Sequence, residues 1–165
     1  REPALRKRDV APYVPPALRG LRFGVYITDP AWDHQPTYIL DEWVAYTNGG
    51  AAALELVARG QWTTGPQDAM AGQLEFTIYA IALTMAIADR DPDYLAANPA
   101  YTALVERTAL RALTQFRAGK DLPAFPSEEQ DRLYQALRVD LEGEPLRQFC
   151  RATWGDGFTR ALLDL

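Results

Sequence analysis

Residues 76–88 form thirteen consecutive uncharged, mostly apolar positions bracketed by Glu75 and Asp89. A membrane-crossing helix needs about 20 such residues, so this run is too short to span a bilayer. A helix apolar on nearly every side must instead be enclosed by neighbours. Residues of about 67–90, following Gly65-Pro66, are therefore expected to form a central core helix around which the chain packs. With 165 residues, about one domain is available for that packing.

The flanking sequence supplies the helices to surround it. From Thr37 the pattern Tyr38, Leu40, Trp43, Val44, Tyr46 is helical and is expected to run through Asn48-Gly49-Gly50 to about Arg59, with Gly60 closing it. Asn98-Pro99 offers an N-cap with proline at the first helical position. Leu104, Leu110, Leu113 and Phe116 continue that helix until Gly119. Ser127-Glu128-Glu129-Gln130 reads as a capping box, and residues 144–154 and 158–163 as two short pieces separated by Gly155 and Gly157. Only residues 21–27 alternate in the manner of a strand. The expectation is an all-α domain of five to six helices over residues 21–165, with at most one short strand.

Residues 1–20 read differently. Pro3, Pro12, Pro15 and Pro16 forbid one regular helix, so an extended, basic, Pro-rich arm is expected there. Residues 1–22 carry six basic side chains against two acidic ones, while the whole chain has a net charge of −5. Such an arm lies on the acidic body, stays solvated or binds a protein partner. It is expected to contribute little to the core. The net negative charge argues against a nucleic-acid binder working by phosphate neutralisation.

Several chemistries are excluded by what is missing. The chain has no Gly-rich phosphate loop and no dinucleotide fingerprint, and no Gly-x-Ser-x-Gly elbow. It has one cysteine and one histidine, so it contains neither an internal disulfide nor a site needing two imidazoles. Cys150, among Phe149, Ala152 and Trp154, reads as a buried inert thiol. His34 sits in a proline-bounded loop without an evident nucleophile and reads as a loop histidine bonded to backbone. The compartment stays open.

The residues that stand out are acids within apolar helices. Glu42 precedes Trp43-Val44-Ala45-Tyr46, and Glu75 opens the most apolar run one turn before Tyr79. A carboxylate facing a core costs several kcal/mol unless it is paired, hydrogen-bonded, metal-bound or protonated. Glu42, Tyr46, Glu75, Tyr79 and His34 are accordingly the candidate site residues.

The segment Thr37-Tyr38-Ile39-Leu40-Asp41-Glu42-Trp43-Val44-Ala45-Tyr46-Thr47-Asn48-Gly49 resembles the helix of gluzincin-type zinc metallopeptidases that supplies their glutamate ligand. The resemblance implies that Glu42 is the third zinc ligand, with Tyr46 one turn on. It also implies that the helical remainder corresponds to the C-terminal half of such an enzyme. The chain departs from the family in lacking His-Glu-x-x-His, and the two imidazoles of a His₂Glu zinc site are not present in it. Three explanations stay open: a zinc-binding helix preceding Arg1, a non-catalytic relative, or a chance likeness. The isolated chain is therefore expected to hold no cofactor and to be inactive, with zinc expected only alongside a missing N-terminal segment. The rival expectation is a non-catalytic protein-interaction domain.

Overall fold

The apolar run becomes the axis of the molecule. In a computed structural model, which describes residues 1–63, 68–125 and 128–164, the chain is all-α. Six α-helices are described: α1 (Tyr38–Ala58), α2 (Ala69–Arg90), α3 (Pro92–Ala97), α4 (Pro99–Gly119), α5 (Glu128–Val139) and α6 (Glu144–Leu163). Short 3₁₀ turns at Lys7–Tyr13, Pro16–Leu18 and Leu141–Gly143 and a π-helical turn at Gly24–Thr28 join them. Helix α2 touches all five other α-helices. Among its residues 70–87 only Met85 escapes full burial. It is long and apolar enough to cross a membrane by length and composition alone, but 94% of its most apolar window is already inside the protein.

Most boundaries follow the local chemistry of the chain. Helix α1 runs through Gly49-Gly50 without a break, and Gly60 takes φ +65° after its end. Gly50 is needed there: a Cβ would sit 2.0 Å from Gln73 Nε2, and Gly72 meets the Tyr46 ring in the same way. These two glycines let α1 and α2 approach closely, and Trp43 Nε1 donates to Thr77 Oγ1 at 3.2 Å across the contact. The two C-terminal pieces of α6 are separated at Gly155, whose φ of +87° and ψ of 170° are not helical. Pro99 opens α4, but Asn98 caps the preceding turn instead, donating Nδ2–H to Tyr94 O at 2.7 Å. The start of α2 at Gln67 and the capping box at Ser127 lie outside the described residues.

Two expectations are corrected. Residues 21–27 form no strand; Tyr26 N–H bonds Arg22 O and Asp29 N–H bonds Gly24 O, a helical turn with Phe23 and Ile27 packed inward. Its alternating apolar character leaves Leu21 and Val25 exposed, and no second strand exists among the described residues to pair with it.

The N-terminal segment is likewise not an extended arm. It winds through two 3₁₀ turns and buries Val10, Val14 and Leu18 completely in the core. Its charges are consumed at home. Arg1 makes a two-pronged pair with Asp91 at 2.7 and 2.9 Å. Arg6 and Arg8 pair with Asp33. Lys7, fully buried, donates Nζ–H to Ala31 O at 2.6 Å.

Candidate functional site

Spacings of three and four residues put side chains on one face of an α-helix, and one face of α1 carries Tyr38, Glu42, Tyr46, Gly49, Ala53 and Leu56. From Glu42 to Leu56 this face lines an open cleft of about 550 Å³, with Trp62, Asp68 and Ala69 along its other side. Tyr38, one turn before Glu42, donates its hydroxyl to Glu42 Oε1 at 2.5 Å. No cation pairs with Glu42 among the described residues. Its half-buried carboxylate thus faces the cleft with one hydrogen bond to it.

Tyr46 forms the wall beside Glu42. Its ring packs on Phe76 with centroids 5.1 Å apart, its hydroxyl accepts from Arg22 Nε at 3.3 Å, and the Arg22 guanidinium lies 5.1 Å from the ring centre. Tyr26 closes the group from the π-helical turn. Burial, reinforced by the negative field of Tyr46, Glu42 and Tyr38, pushes its phenol up to about 12, so it stays neutral at physiological pH.

Glu75 and Tyr79 lie elsewhere, in a sealed network beneath the cleft. Glu75 is fully buried and accepts from Arg22 Nη1 at 2.7 Å, Arg22 N at 2.8 Å, Tyr79 Oη at 3.1 Å and Gln130 Nε2 at 3.2 Å. Gly20 permits this wrap, since a Cβ there would come within 2.3 Å of the Glu75 carboxylate. The Tyr79 phenol is pushed up by burial and by Glu75. Arg22 joins both places, pairing as well with Asp68 at the cleft rim. Glu75 is therefore a structural acid: a closed, satisfied charge that ties residues 20–22 to α2.

His34 is exposed in the loop between the π-helical turn and α1 and makes no hydrogen bond among the described residues, so its expected bond to backbone is not found. Cys150 is buried, and burial pushes its thiol up to about 12, which makes it an inert core residue at neutral pH.

The donor set decides what metal chemistry this chain can host. No group of three His, Cys, Asp or Glu side chains stands close enough to hold an ion among the described residues. Glu42 has acidic and phenolic neighbours but no imidazole. The residues present do not by themselves fit a His₂Glu zinc site.

Of the site members that escaped sequence reading, Tyr38 and Arg22 did so for different reasons. Tyr38 lies four residues before Glu42, a same-face spacing visible in the sequence. Arg22 reaches Glu75 across 53 positions, and nothing local announces it. A scan against protein-family models matches none, and comparisons with curated proteins and with solved structures likewise return no match.

Proposed function

We propose that this chain is a helical domain built like the C-terminal half of a zinc-metallopeptidase-like protein and is not catalytic on its own. One observation carries the reading: Glu42, the residue matching the family's glutamate ligand, faces an open cleft with Tyr46 beside it. A sealed and fully bonded Glu42, like Glu75, would have removed the basis for it. In this reading the cleft is where a helix bearing two imidazoles packs, and Glu42 is the carboxylate it meets.

The test uses zinc itself. By calorimetry, the chain alone should show no stoichiometric zinc binding at micromolar concentration, since one carboxylate does not make a tight site, and no peptidase activity. A helical peptide containing His-Glu-x-x-His, added in trans or fused before Arg1, should create tight one-to-one binding that Glu42→Gln abolishes. Zinc affinity indifferent to Glu42→Gln would overturn the reading.

A non-catalytic interaction domain is the second reading, favoured by the uncompensated carboxylate on an apolar cleft. In this second reading the basic N-terminal segment can still meet a partner, since Arg1, Arg6 and Arg8 pair within the fold yet keep more than half of their side-chain surface exposed.

A further inference from the structure

Gly49 lies on the floor of the cleft, inside α1. A glycine within a helix is destabilising relative to alanine, and the neighbouring Gly50 is explained by its contact with Gln73 and Met70. Gly49 has no such explanation, because a Cβ there would meet nothing within 4 Å. The conformation does not require it either, since α1 is regular through this position. What the missing side chain leaves is open space over bare helix backbone, flanked by Ala45 and Ala53. Glycine is used in this way where another backbone must come close.

The charges of the cleft specify one end of the occupant. Glu42 has no cationic partner among the described residues, whereas Asp68 at the rim already pairs with Arg22. Among the described residues no Lys, Arg or His lines the cleft. Arg22, the nearest cation, is already shared with the buried Glu75. A positively charged group is therefore favoured at the Glu42 end, where the Tyr46 ring forms the wall. Beyond it the floor is small and apolar as far as Leu56.

The fourteen-residue step from Glu42 to Leu56 is about 21 Å along the helix axis, the length of about six residues of extended chain. We infer that the cleft is a docking lane for an extended peptide, with a basic group at Glu42 and small or apolar residues passing over Gly49 towards Leu56. This inference gives the cleft of the isolated chain an occupant other than the metal-binding helix of the metallopeptidase reading, and the two are tested separately.

Fluorescence anisotropy in EDTA tests it, using labelled hexapeptide pools of Ala, Val and Leu with Lys, Gln or Glu fixed at the first or the last position. The Lys pool of one orientation should bind saturably, at least tenfold tighter than the matching Glu pool, and weaken with salt. Gly49→Phe should reduce that affinity at least tenfold while its melting temperature equals or exceeds that of the parent chain. Glu42→Gln should weaken Lys-pool binding and flatten its salt dependence. The absence of saturable binding by any pool up to millimolar concentration would overturn the inference. So would equal binding of the Lys, Gln and Glu pools, or unchanged affinity in a folded Gly49→Phe variant. With metal chelated throughout, none of these outcomes bears on whether Glu42 can ligate zinc.

Discussion

Glu42 and Glu75 are both acids on apolar helices, yet they meet opposite fates. Glu75 is enclosed and receives four hydrogen bonds, two of them from Arg22. Glu42 receives one, from Tyr38, and otherwise looks into open space. Breaking a buried pair by removing one partner leaves the other charge unpaired and costs about 3–5 kcal/mol. Glu75→Ala should therefore destabilise by about that much in urea denaturation. Replacing both Glu75 and Arg22 by Ala should cost less than the sum of the single changes. Glu42→Gln preserves shape and the acceptor for Tyr38, so its effect should stay within about 0.5 kcal/mol. A large loss at Glu42 with little loss at Glu75 would reverse the assignment of the structural and the cleft-facing acid.

At the scale of elements, α2 is the piece whose role was legible from its composition. An uncharged run can only be satisfied by neighbours on all sides, and α2 has them. Ile81 and Leu83 are both fully buried, so Ile81→Ala and Leu83→Ala should each cost about 2–5 kcal/mol, measured by chemical denaturation. A near-neutral result at both would place α2 at the periphery. The turn at Gly24–Thr28 shows the converse. Five to seven alternating residues are compatible with either a strand or a helical turn, and what chooses is the presence of a hydrogen-bonding partner. With no edge to join, the segment satisfies its N–H groups internally through Tyr26 and Asp29.

For the whole molecule the N-terminal segment is the decisive case. Val10, Val14 and Leu18 fill the core, so deleting residues 1–18 should abolish or severely weaken the cooperative unfolding transition seen by circular dichroism. An intact transition would show the segment to be dispensable. Its outer end is held electrostatically. The hydrogen bond from Arg1 first, with that from the Ala4 N–H, holds the Asp91 carboxyl down at about 2, below its ordinary value of about 4. A carboxylate depressed on folding stabilises above its unfolded pKa and loses that contribution as pH falls. The hold on residues 1–4 should thus be complete above about pH 4 and fade towards pH 2. Hydrogen exchange at the Ala4 amide, taken as a fraction of its intrinsic rate at each pH, should rise towards unity across that window. Asp91→Asn should raise it at neutral pH.

The features governed by local chemistry were legible in the residues alone. The uncharged run of residues 76–88 required an enclosed helix, Gly60 marked a stop and Gly155 a break between two helical pieces, and the acids at 42 and 75 required partners or a purpose. Which acid received partners and which a cleft was set by packing. Arg22 reaches Glu75 and leaves Glu42 to the cleft, through a contact 53 residues apart. The prolines of the first twenty residues forbade a regular helix but said nothing about whether Val10, Val14 and Leu18 would find a core. Composition states that an apolar group or a charge must be satisfied. Which group satisfies it depends on surfaces that exist only after the chain has packed.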